Sequence, residues 1–166
     1  MANTFELIAS STVGSGGAAS IDFTSIPSTY TDLCLVASLR GSVGNDYGKV
    51  IINGSSTGYS RRTLQGNGTG ATSATFTSEF FNTMVKSTDT ANTFSNVQFY
   101  FPNYAGSTNK SVSTDAVTEN NATAAIALMQ AVLWSNTAAI TSLSLTQDGG
   151  NLVQYSTAYL YGVRSS

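Results

Sequence analysis

Residues 93–119, TFSNVQFYFPNYAGSTNKSVSTDAVTE, decide the fold. Val97, Phe99 and Phe101 alternate with Gln98 and Tyr100, the period of two of a half-buried strand. Pro102 has no N–H to give to a ladder and ends that strand. Asn103 to Asn109, a cluster of Asn, Gly, Ser and Thr, predicts a turn. A second strand follows, with Val112, Thr114 and Ala116 on one face. The reading is a long hairpin at the centre of an all-β domain.

The same pattern continues outward. Upstream, strands are expected at Phe5 to Thr12, at Ser20 to Thr24 with Ile21 and Phe23 inward, and at Thr31 to Leu39 with Leu33, Leu35, Ala37 and Leu39 on one face. Lys49 to Asn53 and Tyr59 to Gln65 read as a strand and its return around the hairpin signal Asn53-Gly54. Gly66 to Gly70 reads as a mobile loop, and Ser73 to Val85 as one or two strands. Phe76, Phe94, Phe99 and Phe101 are expected in the core.

Downstream, Asn120-Asn121 predicts a turn. Ala124 to Leu133 suits a helix by propensity, but apolar residues on both parities also allow a buried strand, and strand is the reading adopted. Ile140 to Thr146 alternates, and Tyr155 to Val163 is a last strand with two apolar faces, neither expected to meet open water. About nine to eleven short strands with regular turn signals predict an antiparallel β-sandwich, jelly-roll-like.

A chain of 166 residues suits a single domain. At this size about 68–70% of the unfolded surface is buried, enough to fold without staples. We divide it into an N-terminal arm and glycine hinge, residues 1–17, and a single sandwich, residues 18–166. Charged residues make up 10% of the chain, against the ~25% of ordinary soluble domains, and Ser, Thr, Asn and Gly take their place. With a net charge of -2 and no basic cluster beyond Arg61-Arg62, there is no nucleic-acid footprint. Alternation sends those two arginines to opposite faces, at least one of them solvated. Cys34 lies in the apolar run 33–36 and reads as a buried, inert thiol. The start MANTFELIAS does not have the pattern of a signal peptide, and no run is long and apolar enough to span a membrane. Asn53, Asn67, Asn109 and Asn121 head glycosylation sequons, which a chain so rich in Asn, Ser and Thr contains by chance.

Catalytic chemistry has little to stand on. Without histidine, the commonest general base and zinc ligand is missing, and Ser-His-Asp or Cys-His sites are ruled out. The acids, Glu6, Asp22, Asp32, Asp46, Glu79, Asp89, Asp115, Glu119 and Asp148, are scattered. The oxygen-rich loops at Asn45-Asp46 and Asp148 to Asn151 are conceivable calcium sites of a kind that is mostly empty. No enzyme, cofactor or metal is expected. Tyr59, Tyr100, Tyr104, Tyr159 and Tyr161 read as a sugar platform, a subunit interface or ordinary core-edge residues.

Three passages, SIDFTSIPSTYTDLCLVASLRGS (20–42), TANTFSNVQFYFPNYAGSTNKSVSTDAVTENNATAA (90–125) and LWSNTAAITSLSLTQDGGNLVQYSTAYLYGV (133–163), resemble small virion structural proteins of tailed bacteriophages, notably cyanophages. The resemblance covers nearly the whole chain from Phe5 and rests on structural phrases, not on a catalytic motif. It implies a jelly-roll protein that decorates the capsid or forms part of a tail fibre, assembled in the host cytoplasm. With no heptads for a shaft, the compact domain suits a decoration or cement protein bound to the major capsid protein. The alternative is a tail-fibre or receptor-binding protein that contacts host-surface glycans. The resemblance also implies a homotrimer, since such proteins commonly sit on threefold axes. The expected interface residues are Phe5, Leu7 and Ile8 in the arm and Tyr155, Tyr159 and Tyr161 in the last strand. Phe5 to Ile8 has two readings: a strand added to a neighbour's open edge, or the first strand of the chain's own sandwich.

Overall fold

The structure is a computed structural model that describes residues 4–119, 121 and 125–164, with the backbone alone at 80–82. The strands are β1 (Phe5–Thr12), β2 (Ser20–Phe23), β3 (Asp32–Leu39), β4 (Tyr47–Ile52), β5 (Tyr59–Gly66), β6 (Ala71–Phe76), β7 (Phe80–Thr83), β8 (Ser95–Pro102), β9 (Lys110–Val117), β10 (Ala127–Trp134), β11 (Leu143–Gln147) and β12 (Thr157–Val163). They make two sheets, a larger one in the order β1-β12-β3-β8-β9-β10-β5-β6 and a smaller one in the order β2-β11-β4-β7.

The pairing is nested. β1 pairs with β12, β2 with β11, β3 with β8 and β4 with β7, all antiparallel. β12 also pairs with β3, and β11 with β4, which rolls the nested hairpin into two facing four-stranded sheets. That is the strand order of a jelly roll. Two further hairpins are inserted into it, β5–β6 between β4 and β7, and β9–β10 between β8 and β11. Both join the larger sheet, which therefore extends past the smaller one as a wing ending at β6.

Alternation sets what is buried. β8 and β9 turn Val97, Phe99, Phe101, Val112 and Ala116 into the core, as the sequence predicts. β3 contributes Leu33, Leu35, Ala37 and Leu39, and the smaller sheet meets them with Ile21, Phe23, Val50, Ile52, Leu143 and Leu145. Each Val, Leu, Ile or Phe among them gains about 1.5–3 kcal/mol on full burial. Residues 127–134 form a strand rather than a helix because β5 and β9 flank it on both sides. Only one of its faces is buried, with Leu128, Gln130, Val132 and Trp134 inward, while Met129 is 61% exposed and Leu133 also faces outward. Asn120 and Ala124 lie outside the described residues, as do the side chains of Phe80 and Phe81.

Several local expectations change. Asn53 and Gly54 do form a tight turn, at φ 49° and 69°, closed by Ser55 N–H donating to Ile52 O at 2.9 Å. The chain then leaves for the other sheet, so β5 pairs with β10 and β6 and not with β4. The Gly66 to Gly70 loop is a bonded hairpin turn, in which Asn67 Oδ1 accepts from the N–H of Thr69 and Gly70. Of the two readings of residues 5–12, the structure has the first strand of the chain's own sandwich. The segment after it is anchored too: Val13 is buried, its N–H donates to Ser156 O at 2.9 Å, and Ala18 pairs with Leu152.

Candidate functional site

The larger sheet carries two outer surfaces and one cleft. At its β1 edge, Phe5 and Leu7 are exposed on the same face as Tyr161, and the Phe5 and Tyr161 rings meet edge to face at 6.4 Å. Tyr159 lies on this face as well, opposite Ser10. Four of the six expected interface residues are therefore gathered in one place. Ile8 is not among them: alternation after Leu7 turns it to the core, and the register shift between Leu7 and Ala9 turns Ala9 there too. Tyr155 stands in the turn before β12 at φ 71°, exposed, in a conformation uncommon for a tyrosine. The expectation that neither face of the last strand meets water fails at Tyr159, while Val163 is buried.

The remaining tyrosines are not a platform. Tyr59 and Tyr104 are core residues whose hydroxyls find backbone partners. Tyr59 donates to Ser55 O at 3.0 Å and accepts from Ile52 N–H, and Tyr104 donates to Pro27 O. Burial pushes the pKa of both phenols up. Cys34 is buried opposite Tyr100 and Tyr161, and desolvation raises its pKa, as expected of an inert thiol. In the loops named as possible calcium sites, Asp148 pairs with Lys49 Nζ at 2.6 Å, and Asn45 Nδ2 donates to the Asp148 carbonyl.

The wing presents an edge. β6, ATSATF, has every residue exposed, carries no charge, proline or bulge, and among the described residues pairs on one side only. Natural sheets ordinarily protect such an edge by one of those devices. Phe76, expected in the core, is 42% exposed here because the smaller sheet does not reach β6; its ring is covered by the Arg61 guanidinium, 4.3 Å from the centroid. On the outer face of the wing, Leu64 and Met129 are direct cross-strand neighbours and both exposed.

Beneath the wing, where β5 and β10 overhang the β4–β7 edge, lies a cleft of about 170 Å³. Arg61, Thr63, Gln130, Thr83, Asp46 and Tyr47 line it. Arg61 is buried and Arg62 exposed, as alternation requires. Gln130 Nε2 donates to Thr63 Oγ1 at 3.2 Å. Its Oε1, and the hydroxyl of Thr83, have no hydrogen-bond partner among the described residues, and both atoms are closed to solvent. The sequence reading missed this cleft. Its signal was Gln130 itself, an amide on the inward parity between Leu128 and Val132.

Together the strand order and the surfaces define a class: a jelly-roll β-sandwich with an inserted wing, a bare sheet edge and a polar cleft. Comparison of the chain with family models, with curated proteins and with solved structures gives no match.

Proposed function

We propose that the chain is a non-enzymatic bacteriophage virion structural protein, a decoration or cement protein that binds the outside of the capsid and stabilises it. The observation that carries this reading is the β6 edge, exposed, uncharged and regular. An edge of this kind adds a strand of a neighbouring chain through backbone hydrogen bonds. A chain with only seven basic and nine acidic residues has little charge with which to attach in any other way. β6 thus offers an open edge of the kind the sequence reading gave to Phe5–Ile8, which pair with β12 on one side. The partner is the major capsid protein. Phe5, Leu7, Tyr159 and Tyr161 supply the apolar face on which copies of the chain associate as a trimer. Cryo-electron microscopy of the particle tests the reading. A copy number that follows the capsid lattice is expected, and copies confined to the tail would overturn it. That second outcome belongs to the other reading, a tail-fibre or receptor-binding protein contacting host-surface glycans, which the exposed Tyr155 and Tyr159 favour.

A further inference from the structure

We infer that the β6 edge recognises an antiparallel strand with an acidic residue opposite Thr75 and an apolar residue opposite Ser73. In that added strand the acid stands two residues before the apolar side chain. The inference rests on the reading that β6 adds a strand of a neighbouring chain, and it names the chemistry of that strand.

The four outer edges of the two sheets are not alike. β1 carries Glu6 and a register shift, β2 is four residues long and contains Asp22, and β7 is also four residues long. Shortness, charge and irregularity are ordinary defences of an edge. β6 is six residues long, has none of these defences, and is exposed on both faces. Such a strand buries little in its own fold, and an added strand covers its open side.

Ladder parity fixes which backbone groups are open. Asn67 N–H donates to Gly70 O at 3.2 Å, and Ser135 N–H donates to Gly58 O at 2.7 Å. Counted by twos from these bonds, the odd-numbered residues of β5 bond β6 and the even-numbered ones bond β10. Thr72, Ala74 and Phe76 are therefore turned to β5, while Ala71, Ser73 and Thr75 present N–H and C=O to the open side. Residues opposite those three on an added strand share their face. That is the outer face of the wing, where Ser73 lies beside Leu64, Leu64 beside Met129, and Thr75 beside Arg62.

This face selects what it pairs with. Leu64 and Met129 are exposed, and Ser73 is too short to cover Leu64, so an apolar side chain opposite Ser73 leans across it. Arg62 is exposed and has no ion pair among the described residues. Its long side chain extends past Thr75 toward a carboxylate opposite. A second copy of β6 answers neither demand. Paired about a twofold axis, it offers only Ala, Ser and Thr on that face, with no acid for Arg62 and nothing to cover Leu64.

The test uses the full chain and a disulfide-closed hairpin peptide whose outer strand reads TETLTAT, titrated by protein-observed NMR. Closing the hairpin removes the ordering cost of a free peptide. Saturable shifts at the amides of Ala71, Ser73 and Thr75 are expected. Lys in place of the peptide's Glu should weaken binding about two- to fivefold, the range of an exposed ion pair. Ala in place of its Leu should weaken binding about tenfold. Arg62→Glu, a change at an exposed position, should reverse the preference, so that the Lys peptide binds this variant better than the Glu peptide does. No saturable binding would overturn the inference. So would equal affinity for the Glu and Lys peptides, shifts that map to β1, or a parent chain already dimerised through β6. The particle copy number tests the decoration reading and does not depend on any of these outcomes.

Discussion

Tyr100 on β8 donates its phenolic proton to Asp32 Oδ2 on β3 at 2.6 Å, two residues away from the direct cross-strand register. Asp32 Oδ1 accepts the N–H of Asn103 at 2.8 Å, so one carboxylate fixes both the strand and the turn that follows it. The hydrogen bond to Asp32, then desolvation, then the negative charge of Asp32, push the Tyr100 pKa up to about 12. The folded chain holds this proton more tightly than the unfolded chain, where a tyrosine titrates near 10. Its contribution to stability is therefore whole below pH ~10 and is lost as pH rises through about 12. Spectrophotometric titration of the phenols should show a late-ionising tyrosine that moves to lower pH in Asp32→Asn. A Tyr100 that ionises with the exposed tyrosines would contradict the geometry.

Lys110 is buried, and its ammonium donates to the carbonyls of Gly106, Thr108 and Thr137. It closes the β8–β9 turn and ties it to the segment after β10. Burial lowers its pKa. Lys110→Met removes the donor and leaves those carbonyls to find water. We expect a loss of about 1.5–3 kcal/mol, the range for hydrogen bonds to a charged group. Chemical denaturation measures it, and a variant as stable as the parent would show the carbonyls to be solvated already.

Gly162 lets Tyr30 lie against β12: a Cβ there would stand 2.3 Å from the tyrosine ring. Gly162→Ala should cost about 1–3 kcal/mol, the usual penalty of overpacking. Tyr30→Ala combined with it should recover part of that loss, and additivity in the double-mutant cycle would mean that the two residues do not touch.

Deleting residues 1–13 removes β1 and Val13 and uncovers the edge of β12. The lost apolar burial amounts to about 3 kcal/mol. For a chain of this size, that lowers Tm by roughly 6–12 °C. An unchanged Tm would mean that β1 is not held in its own sheet in solution.

Ser73→Lys places a charge on the β6 edge, where a lysine opposes further pairing. Stability should stay within about 0.5 kcal/mol, as for other exposed substitutions. Binding to the particle should fall sharply and depend little on salt in the parent. Unimpaired particle binding would remove β6 from the attachment.

Period-two patterns were legible wherever both sheets cover the strand. β3, β8 and β9 could be read residue by residue, because each side chain's face is set by parity alone. Phe76 could not, since its flanking threonines announce a strand but nothing local tells whether the opposite sheet reaches that far. Asn53-Gly54 specified its turn and not the partner of the strand beyond, which is a matter of topology. Tyr59 and Tyr104 looked available because a hydroxyl suggests a surface; they are buried because carbonyls at Ser55 and Pro27 receive those hydroxyls. The cleft depends on the overhang of one sheet past another, and only the isolated Gln130 hinted at it.

The nested strand order also fixes when the protein can fold. Among the described residues, β1 has no strand neighbour except β12, and β2 none except β11. On the ribosome, the strand that ends at Thr12 must wait for the one that begins at Thr157. Until then only local ladders such as β5–β6 and the β8–β9–β10 meander can form, and the inner faces of β1 and β2 stay uncovered. Closure of the sandwich is thus a late event of high contact order, slow by nature and open to misassociation while it lasts. A nascent chain arrested before β11 should be protease-sensitive over its first two strands, however complete its central meander.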